Sequence, residues 1–266
     1  RDVLGSRGLG DVYKRQDGSN NEIDLVTKTV EPRGDEKELA EITDLIGSYT
    51  TNFASSSAGR AKNVITGVSK VDGTILYPGE EFDLAKTVSP FTQENGYELA
   101  GAYQNGTVVE SFGGGICQVA TTLYNAVIRA ELEITMRFNH SMLVHYVEPS
   151  MDAAIAGNYK DLKFKNNLDA PVYIEGYCSG GIIYFNVYGK ETRPSNREIS
   201  FESETVSKTD PKVQFTMDAS LTAGSVSVTQ SGQSGCIAQL WKIVKVDGKQ
   251  QSRDLFNKSN YQATPK

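Results

Sequence analysis

Residues 113–126 have the sequence GGGICQVATTLYNA, in which three glycines precede a helical pattern. Val119, Leu123 and Ala126 fall on one face of that helix, and Cys117 lies at its predicted start. A helix N-terminus carries about half a positive charge and N–H groups without helical partners, which together stabilise a thiolate. The stretch therefore predicts an amphipathic helix with a reactive cysteine in its first turn.

The segments on either side of this helix indicate the fold class. Helical patterns dominate upstream, at 64–71 and at 35–46, where Asp35 and Glu38 form a capping-box pattern. Strand patterns dominate downstream, at 142–147, 162–164, 172–177 and 182–188. Helices that come mostly first and strands that come mostly later predict an α+β fold.

The C-terminal quarter has a different composition. Polar residues 191–200 include one proline, and from Phe201 onward Thr, Ser and Val dominate. Strands are predicted at 204–206, 213–217, 225–229 and 238–246, with a turn at Asp247-Gly248. We therefore predict a small all-β module at 200–266 that folds separately from 17–190 and is joined to it near Arg193 and Arg197.

The N-terminal residues are predicted to lie outside the fold. The sequence DVYKRQ at 11–16 resembles the translation of a sequencing adapter, so residues 1–16 are expected to be a non-native artefact. Residues 17–47 are expected to hold the end of a truncated domain and a linking helix.

Charge and cysteine content exclude several classes of protein. The 266 residues carry 27 Lys and Arg against 33 Asp and Glu, a formal net charge of −6, which argues against a nucleic-acid partner. No apolar run approaches the ~18 residues of a membrane span. Three scattered cysteines without a CxxC pair exclude a disulfide framework and a cysteine zinc site. We expect no cofactor.

Residues 113–126, His140-Ser141 and the sequence DLKFKN at 161–166 together resemble the VanW family. YPGEEF at 77–82 and NGY at 95–97 extend the resemblance, which implies a VanW domain at 48–190 with helices and an antiparallel sheet. Met151 stands where the family pattern has glycine, a departure expected to reshape one turn.

The flanking residues resemble other envelope modules. Residues 244–248 and Tyr261 resemble a G5 domain, and the N-terminal residues resemble the end of a peptidoglycan-binding domain. The resemblance implies an extracytoplasmic envelope protein of a Gram-positive type bacterium. It would bind peptidoglycan or another wall polymer, and its only membrane contact would be an N-terminal anchor outside this chain.

A cysteine nucleophile needs a base, and the chain has only His140 and His145. Their odd separation places them on opposite faces of the predicted strand, so only one can serve the site. His140 belongs to the family-like His-Ser pair and is the predicted base. The candidates for the group that orients its imidazole are, in order, Asp161, Asn166 and Asp152.

Other residues are candidates for ligand contact. Gly113, Gly114 and Gly115 would let a ligand approach the backbone, and Gln118 is a candidate donor to an oxyanion. Tyr97 is a candidate wall of a glycan or peptide groove, and Asn166 a further contact. Packing remains the alternative for each of these residues and for Cys117.

Two functions follow from these alternatives. The first is a non-enzymatic module that binds peptidoglycan or another wall polymer. The second is a cysteine-dependent amidase, peptidase or transpeptidase on peptidoglycan stem peptides, with Cys117, His140 and Asp161 as nucleophile, base and orienting acid. A Cys117 sulfur that lies beside an imidazole and is open to a cleft favours the enzyme, whereas a buried sulfur with both histidines elsewhere favours the binding module.

Overall fold

A computed structural model describes residues 34–104, 107–157, 159–222, 224–228 and 231–266. Residues 34–266 form one compact unit. The predictions made for 1–16 and 17–33 lie outside the described residues and stay predictions. None of the helices in the described part of the chain is long and apolar enough to cross a membrane.

The described residues form both helices and strands, and each kind includes short and long elements. The helices are α1 (Glu36–Leu39), α2 (Ala58–Val71), α3 (Leu84–Val88) and α4 (Ile116–Arg129). The strands before the C-terminal module are β1 (Asp44–Asn52), β2 (Thr74–Leu76), β3 (Glu81–Asp83), β4 (Leu99–Gln104), β5 (Thr107–Phe112), β6 (Glu133–Met136), β7 (Lys163–Lys165), β8 (Val172–Ser179) and β9 (Ile182–Gly189). The strands of the module are β10 (Arg197–Thr209), β11 (Gly235–Val246) and β12 (Lys249–Tyr261).

The core lies between the two long helices and a four-stranded antiparallel sheet of order β1-β9-β8-β2. Helix α4 packs on β1 and β9, and α2 packs on β8. The predicted apolar face of α4 is confirmed, since Val119, Leu123 and Ala126 are fully buried. The β4-β5 hairpin leads directly into the glycine loop and so fixes where α4 begins.

The C-terminal module is an antiparallel sheet of order β10-β11-β12. The turn at Asp247-Gly248 is confirmed, with positive φ at both residues. Strand β12 was not predicted, because its thirteen residues are almost all polar. The strand predicted at 213–217 is wrong, since Phe215 and Met217 lie exposed outside any strand. Residues 225–228 are not a strand either, and Thr229 lies outside the described residues.

Two further elements differ from the predictions. The capping box of Asp35 and Glu38 is present, but the helix that it starts ends at Leu39. Leu45 and Ile46 belong to β1, because backbone pairing with β9 stabilises an extended chain more than local helix propensity favours a helix. Residues 142–147 form no strand.

The joint between the central region and the module is anchored rather than loose. The Glu131 carboxylate accepts two hydrogen bonds from Arg197, at 2.6 and 2.9 Å, and one from Lys242. Arg193 lies 3.5 Å from it and donates to the carbonyl of Ile46 at 2.8 Å. Contacts between charged groups thus join the two regions in the folded chain, and their separate folding stays a prediction.

Replacing Glu131 with Gln should loosen this joint. Burial raises the pKa of Glu131, but the hydrogen bonds and charges of Arg197 and Lys242 outweigh burial and lower it to about 2. Loss of these charged hydrogen bonds should cost about 2 kcal/mol of unfolding free energy. In limited proteolysis with a nonspecific protease, the wild-type protein should be cut first within 210–222. Glu131→Gln should add early cuts within 191–197, and early cuts there in the wild type would refute an anchored joint.

Candidate active site

The glycine loop places Cys117 in the first turn of α4. Gly115 is the N-cap residue and has a φ of 112°, in the left-handed region that favours glycine. A Cβ on Gly114 would lie 2.7 Å from the carbonyl oxygen of Ala100, and one on Gly113 would meet the ring of Phe91. Packing against protein thus accounts for these glycines. Their role as ligand contacts stays a prediction.

Helix α4 holds the segment 151–155 through polar side chains spaced four residues apart on one face. The Cys117 thiol donates to the carbonyl of Ile155 at 3.4 Å, the Thr121 hydroxyl bonds both backbone groups of Ala153, and Asn125 donates to the carbonyl of Met151 at 2.6 Å. The segment therefore lies along the face of α4 that begins at Cys117. Asp152 lies on this segment.

The structure brings Cys117, His140 and Asp152 together. His140 Nδ1 lies 2.6 Å from Asp152 Oδ2, and the His140 backbone N–H donates to the same oxygen at 2.7 Å. The imidazole also interacts electrostatically with the Cys117 thiol and lowers its pKa. Thiol, imidazole and carboxylate in this order are the arrangement of a nucleophile, its base and the group that orients the base.

The charges of the three groups support one another. Burial raises the pKa of Cys117, but the hydrogen bond and the charge of His140 outweigh burial and bring the pKa below the ordinary thiol value. Burial lowers the pKa of His140, yet its bonds to Asp152 and Cys117 raise it to about 9. The pKa of Asp152 lies below its ordinary value, because His140 and Arg137 overcome its burial. Both shifts are in the direction that favours a pair of thiolate and imidazolium.

Arg137 binds the carboxylate oxygen of Asp152 that does not contact His140. Its Nη2 donates to Asp152 Oδ1 at 3.0 Å and its Nε to the Asp152 carbonyl at 2.8 Å. Both side chains are nearly inaccessible to solvent, at 8% and 1% exposure. Loss of either partner would leave the other charge buried and unpaired. No motif in the sequence had pointed to Arg137.

Tyr146 is a second residue that sequence reasoning missed. Its ring meets the His140 ring edge-on, with 6.5 Å between centroids. Burial and then the negative charge of Cys117 raise the pKa of Tyr146, so its hydroxyl stays protonated. His145, one residue earlier, is exposed to solvent. The structure therefore places His140 rather than His145 at the cysteine, although the predicted strand that separated them is absent.

The two preferred candidates for the orienting group lie elsewhere. Asp161 accepts hydrogen bonds from the backbone of Ala85 at 2.9 Å and of Leu162 at 2.7 Å. Asn166 is fully buried and donates to the carbonyls of Leu76 and Ala170. Both residues join loops of the fold, so the predicted order of candidates is wrong and the third candidate, Asp152, contacts His140.

Gln118 and Tyr97 are also core residues. Gln118 is 1% exposed. Its side-chain N–H groups donate to the Thr51 hydroxyl and the Asn52 carbonyl, and its side-chain oxygen accepts a hydrogen bond from Arg60. Tyr97 is fully buried and donates its hydroxyl to the carbonyl of Val88 at 2.7 Å. Neither side chain reaches the surface, and their predicted ligand contacts stay predictions.

Comparison with known proteins identifies two family matches along the chain. Residues 59–188 match the family described as VanW like protein, and residues 201–266 match the G5 domain. The first match contains Cys117, His140 and Asp152. The VanW-like and G5-like domains expected from the sequence are confirmed, while the peptidoglycan-binding-like end before them stays a prediction.

Curated relatives cover part of the chain. It is 34% identical over 172 residues to "Uncharacterized protein YoaR" of Bacillus subtilis (strain 168), which is 64% of this chain and 57% of that protein. It is 26% identical over 118 residues to "Vancomycin B-type resistance protein VanW" of Enterococcus faecalis (strain ATCC 700802 / V583), 42% of each protein. The chain thus spans about half the length of these relatives. A solved IgA1 protease G5 domain structure is 26% identical and matches 26% of this chain and 83% of that one, with a TM-score of 0.20.

Proposed function

Because the chain combines a VanW-like domain with a G5 domain, we propose that it is a cell-envelope protein that acts on peptidoglycan through Cys117. The observation that carries the chemistry is the partly buried His140 imidazole, whose Nδ1 lies 2.6 Å from Asp152 Oδ2 and whose charge lowers the pKa of Cys117. The reaction class that this arrangement supports is acyl transfer from an amide, either to water or to an amine. The substrate class, amide bonds of stem peptides, rests on the family resemblance.

The first half of the reaction forms a thioester. The Cys117 thiolate attacks the amide carbonyl carbon, and the C–N bond breaks. The leaving amine takes a proton from the His140 imidazolium, while the acyl group remains on the sulfur. Asp152 holds the imidazole in place and stabilises its positive charge before the proton leaves.

The second half returns the enzyme to its starting state. Water, or the amine of a second stem peptide, gives a proton to neutral His140 as it attacks the thioester carbonyl. The C–S bond breaks, and the thiolate and imidazolium form again. Attack by water gives hydrolysis, and attack by an amine gives a cross-link. Both outcomes use the same three residues, Cys117, His140 and Asp152.

The G5 domain and the envelope families favour a wall polymer as the partner and an extracytoplasmic location. In this proposal any membrane contact is made by an N-terminal anchor outside the chain. A binding protein without catalysis would share this location and partner, so chemistry at Cys117 is what separates the two functions.

Mass spectrometry of purified muropeptides incubated with the protein tests the proposal. The wild type should change the mass of stem peptides, by hydrolysis or by joining two of them, and should carry a transient acyl adduct on Cys117. The variant Cys178→Ala should do the same, whereas Cys117→Ala should give neither product nor adduct. Identical muropeptides after incubation with wild type and Cys117→Ala, with both proteins sedimenting with cell walls, would support binding alone.

A further inference from the structure

The end of strand β12, which belongs to the G5 domain, lies against the candidate active site. Tyr261 is 2% exposed, and its hydroxyl donates a hydrogen bond to Asp152 Oδ1. The same hydroxyl accepts a hydrogen bond from the backbone of Ser150 at 2.7 Å. One tyrosine of the second domain therefore contacts both the orienting carboxylate and the backbone that leads to it.

Two more residues on the same face of β12 extend this contact. Ser259 is 1% exposed and accepts a hydrogen bond from Arg137 Nη1 at 2.9 Å. Asn257 donates to the hydroxyl of Tyr124 at 2.8 Å and to the Ser150 carbonyl at 3.2 Å. Residues two apart in a strand share a face, so positions 257, 259 and 261 form one row directed at the VanW-like domain.

We infer that the G5 domain is a structural part of the active site and that Tyr261 is a positioning residue for Asp152. This inference rests on the proposed function. Tyr261 and Arg137 both donate to Oδ1, which fixes the rotation of the carboxylate and leaves Oδ2 for His140. Hydrogen bonds to a charged acceptor are stronger than neutral ones, so each donor restrains the group effectively.

The backbone before Asp152 gives Tyr261 a second role. Ser150 has a φ of 67°, a left-handed conformation that a non-glycine residue adopts only when its surroundings hold it. The Tyr261 hydroxyl accepts the N–H of that residue. The turn that carries Asp152 towards His140 is thus held by the G5 domain as well as by α4.

Substitution of Tyr261 by Phe tests the inference in the full chain. We expect Cys117 in Tyr261→Phe to react with iodoacetamide about tenfold more slowly at pH 7, the size expected for one lost hydrogen bond to a charged group. The matched control is Tyr97→Phe, which removes an equally buried hydroxyl bonded to Val88 and should leave the rate unchanged. Ser259→Ala should slow the reaction by a smaller factor.

A double-mutant cycle separates positioning from general destabilisation. In an Asp152→Asn background, Tyr261→Phe should have no further effect on the Cys117 rate, because the group that it positions is already lost. A wild-type rate in Tyr261→Phe, with a slow rate in His140→Ala, would overturn the inference and leave the proposed function standing. An equal further loss in the Asp152→Asn background would also overturn it. If the rate of Cys117 alkylation does not depend on His140, both the inference about Tyr261 and the proposed function are overturned.

Discussion

Iodoacetamide at pH 7 should label Cys117 at least about tenfold faster than Cys178 or Cys236. All three thiols are free. Burial raises the pKa of Cys178 to about 11 and also raises that of Cys236, whereas His140 brings that of Cys117 below its ordinary value. A pKa difference of ~2 units between Cys178 and Cys117 changes the thiolate fraction ~100-fold. The more acidic thiolate is the weaker nucleophile, which reduces this advantage by about a factor of ten. Peptide-level mass spectrometry over time measures each rate.

The dependence of this reactivity on His140 is the decisive control. His140→Ala should slow the labelling of Cys117 and leave the rates of Cys178 and Cys236 unchanged. In urea, where the three thiols share one environment, the rates should converge. Equal labelling of the three cysteines in the folded protein would contradict the thiolate assigned to Cys117, and with it the proposed chemistry.

Replacing Asp152 with Asn should lower the free energy of unfolding by about 3 kcal/mol. The substitution leaves the Arg137 guanidinium, 8% exposed, without its carboxylate, and breaking a buried ion pair from one side is strongly destabilising. Asp161→Asn is the matched control. It should cost less than ~1 kcal/mol, because Asn still accepts hydrogen bonds from the backbone of Ala85 and Leu162. Urea denaturation of the three proteins measures both differences.

The stability difference between wild type and Asp152→Asn should depend on pH. Asp152 has a lowered pKa in the folded state, so its contribution is present above the unfolded value of ~4 and is lost as the pH falls through the folded pKa. His140 has a raised pKa, so the pairing of its imidazolium with Asp152 is complete below ~6.5 and lost as the pH rises to about 9. The difference should peak between about pH 5 and 6.5. A constant difference from pH 3 to 9 would contradict the assigned charges.

Local patterns predicted the helix that carries Cys117, and the family resemblance of His140-Ser141 led to the choice of His140 over His145. The apolar face of α4 and the glycines before it are properties of consecutive residues, and they were visible in the sequence. The choice of Asp161 over Asp152 failed because the position of the acid is set by a tertiary contact. That contact did leave a signal, since Thr121 and Asn125 are polar residues that follow Cys117 at successive intervals of four on one face of α4.

Elements without an apolar pattern were not predictable in the same way. Strand β12 is held by backbone pairing with β11, and its buried positions are occupied by Ser259 and Tyr261 rather than by aliphatic residues. The start of β1 shows the opposite case. Leu45 and Ile46 fit a helical face, yet pairing with β9 makes the chain extended. In both regions long-range backbone hydrogen bonds decide the structure, and a local window of sequence contains no information on them.

The row formed by residues 257, 259 and 261 restricts which G5 domains could replace the one in this chain. A G5 domain from another protein would restore a continuous sheet after residue 200, yet Asp152 would keep its hydroxyl partner only if the donor strand carried tyrosine at the position of Tyr261. The VanW-like domain and the final strand of the chain are therefore matched to each other through these contacts. A recombination point near residue 195 respects the boundary of the fold but separates residues that work together.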